Sequence, residues 1–361
     1  MTKIVDIEDI RKKREKKEIG IPIENINKKE LKRRGHEIGD ILGCDEKGEE
    51  ICVRKGKGNL YVDGDMEKEQ LFDFMRSQIY QNIQRGDSMV IVDLGSRIYK
   101  RELWIYLTIH GYRVDSYNMD CMTESDCFNC LDGLGAENEE QIVMIANDII
   151  DDQKYKFMTY PVETACKALL SAVLLASLTE MEESDRNMLE IATIFRLGVS
   201  GTMLDKILHV MFEELDETSS AKQLFAMYSE AEEGIRMEAI QKIGNALAVY
   251  EKRANGSLCD NFRTNRYDME MPVKEKSVLF IESGQLPEDK VLFSVFMERL
   301  YDSMLKKAEE RQQDVTVMLL DYPYYGGLCG LEKYMEEGPE KGICTTLYED
   351  DRKLDGSGYA P

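Results

Sequence analysis

Apolar residues change their spacing several times along this chain, and each change marks an element. Over 39–53 short apolar groups flank a charged turn at 45–48, which predicts a hairpin. Leu60, Tyr61 and Val62 form a brief strand that runs into Gly64. Leu71, Phe72, Phe74, Met75 and Ile79 then recur at helical spacing and predict a helix over 68–84. SMVIVDLGS is a continuous apolar run ending at Asp93, of the kind buried on both faces of a sheet. A helical pattern at 97–110 and a strand at 112–119 follow. This β-α-β-α-β order predicts a parallel sheet covered by helices on both faces. Ligands of such sheets gather beyond the carboxyl ends of strands, where Gly64, Asp93 and Asn118 fall.

From 138 to 255 the period is helical throughout, with helices expected at 140–150, 162–179, 186–197, 202–215 and 234–252. Apolar strands then return at 277–282 (SVLFIE) and 315–321 (VTVMLLD), separated by a helical stripe over 288–312. The expected organisation is therefore a charged N-terminal arm (1–36), an α/β part (37–137), an inserted all-α domain (138–255), a second α/β part (256–327) and an irregular C-terminal tail (328–361). The arm is helix-prone and carries Arg11, Lys12, Lys13, Arg14, Lys16 and Lys17 around Glu15. It reads as a solvated segment.

Charge narrows the partners. Residues 1–60 hold 16 Lys+Arg against 13 Asp+Glu, within a chain of net charge −22, so the rest of the molecule is strongly acidic and disfavours a polyphosphate backbone. Nine cysteines without an export signal suggest reduced thiols and a cytoplasmic compartment. Cys121, Cys127 and Cys130 form a C-x5-C-x2-C group lacking a nearby fourth ligand, and His36, His110 and His209 are scattered, so neither a metal centre nor a hydrolase triad is expected. No apolar run reaches the length of a bilayer span.

The strand-loop-helix at 58–72, GNLYVDGDMEKEQLF, stands where a phosphate-binding loop would be. Such a loop needs G-x-x-x-x-G-K-[ST]: glycines free the backbone to wrap phosphate, the lysine reaches the β and γ phosphates, and the hydroxyl binds Mg²⁺. Counting from Gly64, the second glycine is Glu69, the lysine Gln70 and the hydroxyl Leu71. Asp65, Glu67 and Glu69 add negative charge at a helix start that would otherwise attract an anion. At ~4 Å and an effective dielectric of ~20, each carboxylate-phosphate pair costs roughly 4 kcal/mol. Lys68 is out of frame. The other reading of this loop is an acidic helix start that never bound phosphate. On the strand at 315–321, Asp321 occupies the place of a Mg²⁺-organising carboxylate. The residue after it, where a glutamate would polarise water, is Tyr322, and a phenol is no base at neutral pH.

Several segments in order resemble the TraG-type coupling ATPases of type IV secretion and conjugation. They are GCDEKGEEICV with GNLYVDG, SMVIVDLGSRIY, GYRVDSYNMD, the Phe128-Asn129-Cys130-Leu131 turn, Glu163 with Ala168, Leu169 and Leu170, then SVLFIESG and VTVMLLDYPYYGG. The resemblance implies a RecA-like, P-loop-type α/β sheet with a large inserted all-α domain that engages partners. It also places the nucleotide site at Gly64, Asp65, Lys68, Glu69, Gln70 and Leu71, at Asp93, and at Asp321 and Tyr322, with departures at Glu69, Gln70, Leu71 and Tyr322 and with Leu94 for the proline after Asp93. These imply a degenerate nucleotide site, with no catalytic residue, no metal and no cofactor unless ATP and Mg²⁺ still bind. The expected function is a non-catalytic, protein-binding accessory subunit whose partner is an intact coupling ATPase or another conjugation component, with oligomers open. Three alternatives stand beside it: an active NTPase using Lys68 or a neighbouring subunit's residue, a DNA-binding accessory acting through residues 1–36, and an unrelated globular protein.

Overall fold

The computed structural model describes residues 3–6, 40–44, 50–54, 58–63, 68–93, 98–119, 121, 125–151, 158–196, 201–254, 262–282, 289–320, 328 and 330–349. The first elements are strands β1 (Lys3–Asp6), β2 (Asp40–Cys44), β3 (Glu50–Arg54) and β4 (Leu60–Asp63), helix α1 (Lys68–Arg85), strand β5 (Ser88–Asp93), helix α2 (Ile98–Ile109) and strand β6 (Arg113–Asn118). A helical series follows: α3 (Glu139–Asp151), α4 (Tyr160–Glu180), α5 (Met188–Arg196), α6 (Gly201–Glu213), α7 (Ser220–Ser229), α8 (Glu233–Ala254) and the short α9 (Met271–Lys274). The chain then forms β7 (Ser277–Glu282), α10 (Asp289–Lys307), β8 (Val315–Leu319), α11 (Leu331–Glu337) and β9 (Ile343–Glu349). It divides into two compact units, one of Met1–Ser116, Met269–Glu282 and Tyr301–Pro361, the other of Tyr117–Asp268 and Ser283–Leu300.

The first unit is built on a six-stranded sheet in the order β4-β9-β8-β5-β7-β6. The pairings β4–β9, β9–β8, β8–β5 and β5–β7 are all parallel. Every residue of β5 and of β7 is buried, which is why both read as unbroken apolar runs. On one face Met89, Ile91, Val278, Phe280 and Met318 meet Phe74, Met75, Ile79 and Ile83 of α1 and Leu103 and Leu107 of α2 in one core. Helix α1 stops at Gly86, whose φ of +83° suits only glycine at low cost. The amides of Gly86 and Asp87 both return to the Asn82 carbonyl, at 2.9 and 3.1 Å. A separate three-stranded sheet, β1-β3-β2, joins the expected hairpin antiparallel to a parallel strand.

Two expectations need correction here. The start of the helix-prone arm contains a strand, because Ile4 and Val5 pair in register with Ile51 and Cys52; the basic run at 11–17 lies outside the described residues. The stretch expected to be irregular after 327 supplies α11 and β9, and β9 lies between β4 and β8. Its sequence, ICTTLYE, hides a doubly buried strand behind two threonines. Thr345 is 1% exposed and is satisfied from two sides: its amide donates to Asn59 Oδ1 at 2.8 Å, and its hydroxyl lies 2.9 Å from that of Tyr301. Tyr301 in turn stacks on Tyr334 of α11, with centroids 4.6 Å apart.

In the second unit α4 is the central helix, with thirteen buried residues, packed by α3, α7 and α8. Among the described residues it is the one helix long and apolar enough to cross a bilayer, and 72% of that apolar window is buried inside the protein. Asn187 caps α5, its Oδ1 accepting from the amides of Leu189 and Glu190 at 3.1 Å each. The Phe128-Asn129-Cys130-Leu131 turn is a clamp. Asn129 Nδ2 donates to the Arg186 carbonyl at 2.8 Å and more weakly to that of Arg263, while its Oδ1 accepts from the Leu131 amide at 3.1 Å. Phe128 packs edge-on against Phe296, which stacks on Tyr117 at 4.0 Å. The boundaries expected at 138 and 255 both fall inside this unit. Helix α7 was not anticipated by periodicity, and it is held to α6 by Phe212 stacked on Phe225 at 4.1 Å.

Candidate functional site at the carboxyl edge of the sheet

Because the pairings are parallel, β4, β5, β7, β8 and β9 end on one edge. In register, Asp63 of β4 stands beside Glu349 of β9, and Asp93 of β5 beside Glu282 of β7. Four strands therefore finish in an acidic residue at the edge where such sheets hold ligands. The strand before the candidate loop and the strand leading to Asp321 are separated by β9 alone, a spacing of about 10 Å.

The candidate residues distribute around this edge unevenly. Gly64 and Asp65 follow β4 directly, and Asp321 and Tyr322 follow β8 after Leu320; all four lie outside the described residues. Lys68, Glu69, Gln70 and Leu71 form the first turn of α1. That turn is where a phosphate-binding loop would present its lysine and hydroxyl.

Asp93 is brought to the edge but turned to the backbone. It is 1% exposed, and its Oδ2 accepts a 3.4 Å bond from the amide of Tyr99 in the first turn of α2. A carboxylate there accepts from an amide of the first turn and complements the positive end of the helix dipole.

Glu282, a residue the sequence reading noted only as a strand end, is tied to the same helix. Lys100 Nζ donates to its Oε2 at 2.7 Å, Ser116 Oγ donates to the same oxygen at 3.1 Å, and Lys100 lies 2.8 Å from Ser116 Oγ. A buried strand ending in a carboxylate, with a lysine on the adjacent helix pattern, was the available signal. Elsewhere the cysteine group is structural in character. Cys127 and Cys130 are buried and Cys121 is half-buried. Burial pushes the Cys130 thiol up to about 12. Among the described residues no three His, Cys, Asp or Glu side chains gather in a metal-binding group.

No family model and no curated protein matches the sequence. Solved structures do match the fold over most of the chain. The unbound bacterial conjugative coupling protein TrwBΔN70 shares it at 16% identity and a TM-score of 0.59, over 91% of this chain and 71% of that one. Plasmid coupling protein TrwB in complex with the non-hydrolysable ATP analogue ADPNP gives 16% identity and a TM-score of 0.60, over 93% and 73%. The same protein in complex with ADP and Mg²⁺ gives 15% and 0.60, over 91% and 72%. The chain therefore shares its fold with these coupling proteins, the fold that the order of motifs implied.

Proposed function

We propose that this protein is a non-catalytic relative of conjugative coupling proteins, a pseudo-ATPase that acts as a protein-binding accessory or regulatory subunit of a DNA-transfer or type IV secretion system. The observation that carries this reading is the first turn of α1, where Glu69, Gln70 and Leu71 take the positions of the glycine, lysine and hydroxyl that a triphosphate and its Mg²⁺ require. The engagement of Asp93 by α2 and the phenol of Tyr322 in place of a base point the same way. A magnesium nucleotide does not suit these residues, and neither cofactor nor catalytic residue is assigned.

On this reading Met1–Ser116, Met269–Glu282 and Tyr301–Pro361 belong to the inherited nucleotide fold, and the helices between 138 and 255 form the partner-recognition part. The partner is an intact coupling ATPase or another conjugation component, met in the cytoplasm or at the inner face of the membrane through that partner. Pairing of like folds allows a mixed assembly. The acidic body argues against DNA as the ligand.

Calorimetric titration with ATP and Mg²⁺ tests this, using wild type and the Glu69→Gly, Gln70→Lys, Leu71→Thr triple variant. The expected result is no heat from wild type and measurable binding by the variant. Micromolar binding by wild type overturns the reading.

A further inference from the structure

Helix α6 carries an exposed apolar stripe on its outer side. Met203, Ile207 and Met211 lie four residues apart, with Val210 beside them, and they are 53%, 40%, 52% and 60% exposed. The inner side of the same helix is fixed. Asp205, 5% exposed, receives the Tyr228 hydroxyl at 2.7 Å and two bonds from the Arg236 guanidinium at 3.2 and 3.3 Å, and Phe212 is stacked on Phe225. The stripe is therefore presented on a rigid helix. Such a surface gives up little freedom when it binds.

Its surroundings name the occupant. The carboxyl end of α6 and the turn after it expose Glu213, Glu214, Asp216 and Glu217, at the negative end of the helix dipole. Lys222, the cation nearest in sequence after that turn, is engaged by Glu217 and by the carbonyls of Glu213 and Leu215. Lys206 on α6 itself is one exposed positive charge against these four acids. A second copy of this chain would bring the same acidic rim and a net charge of −22 with it. Aliphatic and thioether side chains without an aromatic anchor fit a helix laid across them, since methionine adapts to the contour of what it meets.

We propose that the outer face of α6 is a docking surface for a basic amphipathic helix of a protein partner, whose apolar residues cover Met203, Ile207, Val210 and Met211 and whose lysines or arginines meet the acids beyond Phe212. The proposal rests on the protein-binding reading above and gives it a location and a partner chemistry.

The test uses the full chain and a fluorescein-labelled lysine-rich peptide of roughly 18 residues, long enough to hold a helix, with leucines on one face. A scrambled peptide of the same composition is the control. Anisotropy is expected to give micromolar binding to wild type and at least about tenfold weaker binding of the scrambled peptide. The Ile207→Glu, Met211→Glu double variant is expected to weaken binding by about tenfold or more. An Ile105→Glu, Ile109→Glu variant, which alters exposed apolar residues on α2, is expected to leave it unchanged. Circular dichroism confirms that both variants are folded. Absence of wild-type binding, equal binding of the scrambled peptide, or equal binding by the α6 variant each overturns the proposal. So does a wild-type dimer that the α6 variant breaks, since the face would then belong to a second copy. An ATP titration of the same sample separates the two readings: nucleotide binding removes the pseudo-ATPase and leaves the peptide result standing.

Discussion

Lys100 and Glu282 form a 2.7 Å ion pair in which the lysine side chain is 19% exposed and the glutamate 4%. The pair fastens α2 to the end of β7, next to the strand end whose Asp93 already holds the first turn of that helix. Removing one partner strands the other charge out of water. Lys100→Ala is therefore expected to cost about 3 kcal/mol, and a Lys100→Met, Glu282→Leu double variant to recover most of it. The only tryptophan of the chain, Trp104, sits one turn along α2, so urea unfolding followed by its fluorescence reads this helix directly. A single-variant loss below about 0.5 kcal/mol would remove the pair from any structural role.

Asn129 should tolerate neither loss nor charge. Asn129→Ala gives up its bonds to the carbonyls of Arg186 and Arg263 and orphans the Leu131 amide, a loss of about 2 kcal/mol. Asn129→Asp keeps the acceptor for Leu131 but turns an oxygen toward two carbonyls, so it is expected to be at least as damaging. Thermal melting of both variants checks the order, and an aspartate variant matching wild type would refute the clamp.

Alkaline conditions should loosen the helical unit through its thiols. Burial pushes Cys130 and Cys166 up to about 12 from an ordinary value near 9. Both groups hold their protons more tightly folded than unfolded. Their contribution is whole below pH 9, declines as the pH rises and is spent once it passes about 12, at roughly 1.4 kcal/mol per pH unit for each thiol within that window. Urea midpoints measured from pH 8 to 11 should fall, and Cys166→Ala should flatten the slope. An unchanged slope in that variant contradicts the assignment.

Strand β9 should be indispensable to the sheet. A chain terminated after Gly342 removes the partner of both β4 and β8, and the first unit is expected to lose cooperative unfolding by Trp104 fluorescence. A milder variant, Thr345→Val, loses the bond to Tyr301 and is expected to cost about 1 kcal/mol. A truncated chain that melts like wild type would show that β9 is an accessory strand.

Much of this architecture was legible because particular residues announce it. Met89 to Val92 and Val278 to Ile281 are apolar without interruption, and a strand buried on both faces needs nothing else. Helix α1 was legible through Phe74, Met75 and Ile79, which all turn to one core. Strand β9 was not, because Thr345 and Thr346 break the apolar run. The burial of Thr345 is made possible by Asn59 and Tyr301, which no local window contains. Helix α7 is short and shows only Phe225 and Tyr228 as large buried residues, the latter meeting Asp205 through its hydroxyl. At the candidate site the position of Asp93 at a strand end could be read directly. Its use as a cap for α2 could not, since that depends on where the Tyr99 amide points.

The late position of β9 in the chain governs how the sheet can assemble during synthesis. Among the described residues β4 is an edge strand whose one ladder partner is β9, and Asn59, just before β4, meets Thr345 across 286 residues. At about 5–20 residues per second, β4 emerges from the ribosome on the order of tens of seconds before its partner exists. The intervening helices can fold in that interval because their contacts are local, whereas the sheet depends on a contact of very high order. The first unit thus cannot close until residue 349 is made, and for that time the nascent chain offers an unpaired β4 edge to chaperones or to other nascent chains.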